Sequence, residues 1–195
     1  MAEPNLLRFT TGRRRQFWNR NCVALGLASG FLEPLESTSI HLVISGVYNL
    51  LDHFPDRSFD PANIDSYNAM LIDEIEHVRD FIVLHYSATR RTDSALWRSS
   101  ATMTLPDSLR ERIDLYRATG RVPSRPKELF TDLSWFYVFD GMGLRPHRHD
   151  PLMDIVATPR LEAILETLAR ATGAAVAAAP THDSHFPAPA IAAAS

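Results

Sequence analysis

One cysteine, Cys22, among 195 residues excludes an internal disulfide and a cysteine-based zinc site. Its neighbours in NCVALGL are apolar, which predicts a buried, inert thiol rather than a nucleophile. Glycine is scarce, eight in all, and nowhere does it form G-x-G-x-x-G, so the loop that cradles a dinucleotide pyrophosphate is missing. No apolar stretch reaches the roughly 18 to 20 residues that cross a bilayer, because Asp52 and His53 close the longest run. A basic field is missing too. Against 23 Asp and Glu stand 20 Lys and Arg, a net charge of -3, which removes nucleic acid as a partner despite the local GRRRQFW cluster. The first residues, MAEPNLLRFTTGRRR, have no apolar core behind a basic start, so no secretory signal is expected and the reading is of a soluble, cytoplasmic chain without a membrane partner.

What is present, 45% hydrophobic overall, suffices for one ordinary core. From Leu6 to Trp18 the residues read as two extended runs turned at Thr11-Gly12, and NCVALGLASGF follows as a buried strand entering a tight turn. Nearly everything later is helical. Ile40, Val43, Ile44, Val47, Tyr48, Leu50, Leu51 and Phe54 recur at three- and four-residue spacing and predict a helix from Ser37 to His53. A second helix is predicted from Asp65 to about Thr89, with Met70, Leu71, Ile75, Val78, Ile82 and Leu84 inside and Asp73, Glu74, Glu76, Arg79 and Asp80 outside. DSALWRSSATM adds a short helix, and PDSLRERIDLYRATG a well-punctuated one with Leu109, Ile113, Leu115 and Tyr116 inside. Trp135, Phe136, Tyr137 and Phe139, four aromatics within five residues, form either a core plug or a lid over an aromatic ligand. PRLEAILETLARATG is a last amphipathic helix, and beyond Gly173 an Ala/Pro-rich tail is expected to be mobile.

The histidines yield no metal site. His147 and His149 flank one side of an extended stretch beside Asp150, and His182 and His185 lie three apart. Neither pair has the third and fourth converging ligands that a metal demands, and His77 with Asp73 and Asp80 reads as a solvated helical stripe. The segment EPLESTSI is more informative. At the start of the helix that follows it, first-turn N–H groups have no intrahelical partner; Ser37 or Thr38 can cap one of them, and Glu36 suits the positive end of the helix dipole. What stays uncapped is a site for an anion or an electron-rich ring edge.

An apolar strand, the small-residue turn GLASGF, a proline and a helix mouth follow one another in VALGLASGFLEPLESTSI, which resembles the late strand and turn that reach the isoalloxazine ring in Rossmann-type flavin monooxygenases. The likeness sharpens over FWNRNCVALGLASGFLEPLESTSIHLV and continues through YNAMLIDEIEHVRDFIVLHYSATRRTDSALWR, PDSLRERIDLYRATGRV and WFYVFDGMGLRP. Across Leu7 to Asp154 the chain resembles the flavin-dependent tryptophan halogenases, with EPLEST as the most specific stretch.

That resemblance implies a mainly α fold, in which a helical substrate-covering region follows a short β remnant of a flavin monooxygenase-like, FAD-binding module. The implied divisions are 1–35 for the remnant, 36–172 for the helical region and 173–195 for the tail. It implies chemistry in which reduced FAD from a separate flavin reductase, oxygen and chloride or bromide yield hypohalous acid. The acid travels through a tunnel to an aromatic substrate. Glu36 is implied as the catalytic glutamate, orienting the electrophilic halogen and taking the ring proton, with the N–H groups of Thr38 and Ser39 holding halide and Leu27 and Ile40 near the flavin. Many tryptophan halogenases carry glycine where this chain has Ser39, which reshapes the halide pocket. The segment that brings a substrate-sandwiching tryptophan reads KELFTD here, leaving Phe130 as the nearest aromatic and free tryptophan, indole or another electron-rich aromatic as the substrate. The missing glycine fingerprint and the missing domain of the catalytic lysine imply the C-terminal part of a halogenase, a truncated product or fragment that is inactive alone. Such a part would expose an apolar face. The competing expectation is a non-enzymatic helical module that uses that face to bind a partner or, as a homodimer, itself.

Overall fold

The computed structural model describes residues 3, 5–123, 125, 126 and 128–186. It divides into two compact units, residues 1–149 and 150–195. The chain is mainly helical, with a small amount of β-structure at its start.

That β-structure consists of two antiparallel pairs. Strand β1 (Gly12–Arg13) pairs with β4 (Gly30–Phe31), and β2 (Trp18–Asn19) pairs with β3 (Cys22–Val23). The hairpin expected at Thr11-Gly12 is therefore not the one that forms. Gly12 is itself a ladder residue opposite Phe31, and the tight reversal falls at Arg20, whose φ of 57° is left-handed. Gly30 must be glycine, because a Cβ there would stand 2.7 Å from the Gly12 carbonyl oxygen. Cys22, expected inside, is exposed. In the short β2–β3 ladder Trp18 faces Val23 and is buried, so the neighbouring position on β3 points outward.

Helix α1 (Thr38–Asp52) matches the predicted span. Helix α2 (Pro61–Ser87) starts four positions before the predicted Asp65: the Asp60 carboxylate caps it by accepting from the Ala62 N–H, and Pro61 takes the first helical position. At 27 residues, α2 is about 40 Å long and serves as a spine for two clusters. Its first half packs Tyr67, Leu71 and Ile75 against Phe17 and Trp18. Buried Asn68 ties the hairpin down, accepting from the Phe17 and Trp18 N–H groups at 2.8 Å each and donating to the Trp18 carbonyl at 2.9 Å. The second half packs Phe81 and Leu84 against Leu109, Ile113 and Tyr116 of α4 (Asp107–Thr119) and Trp135 and Phe139 of α5 (Asp132–Gly141). Helix α3 (Ala95–Ala101) joins α2 to α4.

Two side-chain expectations fail for identifiable reasons, and a third is met in part. Asp80 is only 2% exposed, not outside, because the start of α4 arrives over it; Arg79 donates to it and so does the Ser108 hydroxyl. Leu115 is exposed, since Leu109, Ile113 and Tyr116 define the inward face and Leu115 lies roughly 200° around the helix from Ile113. Of the aromatic quartet, Trp135 and Phe139, one turn apart, plug the core, while Phe136 and Tyr137 face outward.

In the second unit α6 (Thr158–Ala178) continues past Gly173, the predicted stop, because alanine and valine follow and alanine is the best helix former. The tail expected to be mobile falls in part, residues 187–195, outside the described residues. Among the described residues no helix is long and apolar enough to cross a membrane.

Candidate active-site edge at the mouth of helix α1

Strand β4 runs into Leu32, Glu33 and Pro34, then a single helical turn at Leu35–Ser37, then α1. Two consecutive non-glycine residues in this turn are left-handed, Glu36 (φ 63°) and Ser37 (φ 52°). Such positions cost on the order of 1–3 kcal/mol each and persist only where their surroundings hold them. The left-handed Ser37 explains why the expected cap does not form. An N-cap needs extended backbone to return its hydroxyl to the first turn, and no side chain caps α1. Thr38 makes no cap either; it is 1% exposed and its Oγ1 has no hydrogen-bond partner. The first turn of α1 thus has no side-chain cap and one orphaned hydroxyl.

Leu27, Thr38, Ser39 and Ile40 line one cleft of about 280 Å3, together with Gly26 and Val43. Leu27 and Ile40 are 77% and 73% exposed, an apolar ledge beside the polar helix end. This pairing of an uncapped helix N-terminus with a hydrophobic rim can receive an anion next to a flat apolar group.

Glu36 stands beside the cleft rather than in its lining. Its Oε1 lies 3.4 Å from Nε2 of His85 on α2, and Nδ1 of the same ring lies 2.8 Å from the Phe81 carbonyl, which accepts its proton. The His85–Glu36 contact is therefore an ion pair only when the imidazole carries both protons. Glu33 is held by the next residue of α2: the Tyr86 hydroxyl is 2.9 Å from each of its carboxylate oxygens. That hydrogen bond, then burial, then the Glu33 charge itself, push the Tyr86 phenol above its ordinary range. The Tyr86 ring stacks on Trp97, over which Arg91 sits at 4.6 Å.

Phe130 stacks on Phe81 with ring centres 3.8 Å apart, and Phe81 meets His85 edge-on at 4.9 Å. Glu36 and Phe130 are so linked through two α2 side chains, but Phe130 lines a different cavity, about 490 Å3, with Ile44, Tyr48 and Met70 on its apolar side. In that cavity Glu74 accepts from Ser45 at 2.6 Å and lies 2.9 Å from His41. Among the described residues no three His, Cys, Asp or Glu side chains gather as a metal site.

The sequence reading assigned no role to Glu33, His85 or Tyr86. A His-Tyr pair on an otherwise apolar turn of α2 is the only signal for them, and nothing in its spacing ties it to a turn some fifty residues earlier.

The fold and this helix mouth define a class, a mainly helical chain whose helix α1 opens, without a side-chain cap, onto an apolar-rimmed cleft. A family model described as tryptophan halogenase matches residues 1–158. Tryptophan 6-halogenase ThaL from Streptomyces albogriseolus is 34% identical over 181 residues, covering 86% of this chain and 34% of the relative. BrvH, a flavin-dependent halogenase from Brevundimonas sp. BAL3, superposes with a TM-score of 0.86 at 42% identity, over 94% of this chain and 37% of that structure. Xcc4156, a flavin-dependent halogenase from Xanthomonas campestris, gives 0.86 at 45% identity over 97% and 39%. The chain belongs to the flavin-dependent tryptophan halogenase family. It spans about a third of the length of the curated relatives it matches.

Proposed function

We propose that this chain forms the halide-facing and substrate-facing part of a flavin-dependent halogenase that chlorinates or brominates tryptophan or a related electron-rich aromatic such as indole. The observation that carries this reading is the single cleft shared by Leu27, Thr38, Ser39 and Ile40 at the uncapped start of α1. The site fits an anion and a flavin: the orphaned Thr38 hydroxyl and the first-turn amides suit chloride or bromide, and the exposed Leu27 and Ile40 suit an isoalloxazine ring. When bound, reduced FAD, delivered by a separate reductase, would pass two electrons to oxygen, which at the peroxide level can take two more from halide and leave it as an electrophilic halogen.

The chain's own residues then do three things. Thr38 and Ser39 hold halide through their N–H groups. Glu36 orients the electrophile and accepts at its carboxylate the proton that the substituted ring carbon gives up. Phe130, anchored on Phe81, provides an aromatic wall for the substrate. The apolar stripe of α1, with Ile40, Val43, Ile44, Val47, Tyr48 and Leu51 exposed, is where the flavin-binding portion of the enzyme packs. The same stripe favours a second reading, a helical interaction module that binds a partner or a second copy of itself.

The test combines this chain with the flavin-binding portion of a solved relative, reduced FAD, oxygen and bromide, and follows brominated tryptophan and indole by mass spectrometry. Product with the natural chain and a loss of at least about a hundredfold with E36Q, the size expected for a general base, support the halogenase reading. No product, together with concentration-dependent self-association abolished by V47D, leaves only the interaction module.

A further inference from the structure

The left-handed turn at Glu36 and Ser37 is costly for two non-glycine residues and needs something to hold it. Within it the Ser37 N–H donates to the Pro34 carbonyl at 2.9 Å. No side chain caps the helix that follows. The turn is instead gripped from α2. At its near end Glu33 receives the Tyr86 hydroxyl on both carboxylate oxygens, and at its crest Glu36 meets His85. Because His85 and Tyr86 are adjacent on a rigid helix, the separation of the two glutamates is set by α2 and not by the loop. The grip itself is braced, since the Tyr86 ring stacks on Trp97 of α3 at 5.9 Å, and Arg91, paired with Asp93, lies over the same indole at 4.6 Å.

From this we infer that Tyr86 is a positioning residue, whose hydroxyl acts through Glu33 to hold the strained turn that aims Glu36 and the first amides of α1. The inference rests on the halide-edge reading of that turn. Its physical basis is that a hydroxyl donated to a carboxylate is among the stronger hydrogen bonds, and that this one is made to the residue that leads into Pro34, whose ring fixes φ. Movement of Glu33 is thus passed to Glu36 through three peptide units, one of them at a proline with fixed φ. Tyr86 touches neither substrate nor halide in this scheme.

The experiment uses the complete 195-residue chain and the Y86F variant, which keeps the ring and its stacking and deletes only the hydroxyl. Two readouts are taken by NMR: the backbone shifts and couplings of Glu36 and Ser37, which report left-handed geometry, and the movement of the Thr38 and Ser39 amide signals on titration with sodium bromide. Y86F and E33A are expected to lose the left-handed signature and to weaken bromide binding by roughly tenfold, the equivalent of one charge-assisted hydrogen bond. E33Q, which retains an acceptor for the hydroxyl, restores both. If Y86F lowers the melting temperature but leaves Glu36 and Ser37 left-handed, Tyr86 is merely structural and the inference is overturned. If the natural chain binds no bromide, the halide reading fails, while the backbone signature still decides whether Tyr86 holds the turn.

Discussion

Replacing Thr38 by valine should make the protein more stable and less able to hold halide. Thr38 is 1% exposed, and its buried Oγ1 has no hydrogen-bond partner. A buried hydroxyl left unpaired forfeits about 1–3 kcal/mol. Valine has the same branched shape and puts a methyl group in place of the oxygen, so T38V removes that penalty without opening a cavity. We expect a gain of about 1 kcal/mol, or roughly 2–4 °C in melting temperature for a chain of this size. The assay is calorimetric unfolding in halide-free phosphate and again at high bromide. A ligand at a hundred times its dissociation constant stabilises the native state by about 2.7 kcal/mol. The natural chain should show such a bromide-dependent rise, whereas T38V, which keeps the amides but loses the hydroxyl, should need roughly tenfold more bromide for the same rise. If T38V is instead destabilised by 1 kcal/mol or more in halide-free buffer, on the order of a lost hydrogen bond, the hydroxyl has a partner and the argument for an open anion site falls.

Two other outcomes are expected. Burial pushes the Tyr67 phenol from 10.0 up to about 12, and because the folded value is the higher one, its contribution is intact below pH 10 and is lost as pH rises towards 12. The loss is on the order of 2 kcal/mol, and urea unfolding across this range should be markedly flatter in Y67F; identical slopes would mean that the phenol is not shielded. The Arg112–Glu128 pair, with side chains 9% and 4% exposed and the guanidinium 4.1 Å above the Trp135 ring, is buried. R112M should cost about 3–5 kcal/mol by leaving Glu128 unpaired, and R112M/E128L should recover most of it; a double variant as unstable as the single one would place the energy in the Trp135 contact instead.

The parts of the fold legible in the chain were those set by near neighbours. Gly120 ends its helix because a left-handed C-cap acts within a few residues, and the three- and four-residue spacing of Ile40 to Leu51 was enough to place α1, whereas the cap at Asp60-Pro61, equally local, was overlooked and α2 placed four residues late. EPLEST was likewise readable as the mouth of α1, and the quoted stretches were enough to assign the family. Packing alone decided the rest. Whether the α1 stripe is covered, whether Asp80 is inside, and whether Cys22 faces water depend on which element arrives opposite, and none of that is encoded in a period. The left-handed turn at Glu36 and Ser37 runs against the local preference of both residues; it exists because His85 and Tyr86, about fifty positions later, grip it from α2. Local sequence determines which backbone shapes are cheap, but a costly one is chosen only when distant side chains, brought together by burial of the core, repay it.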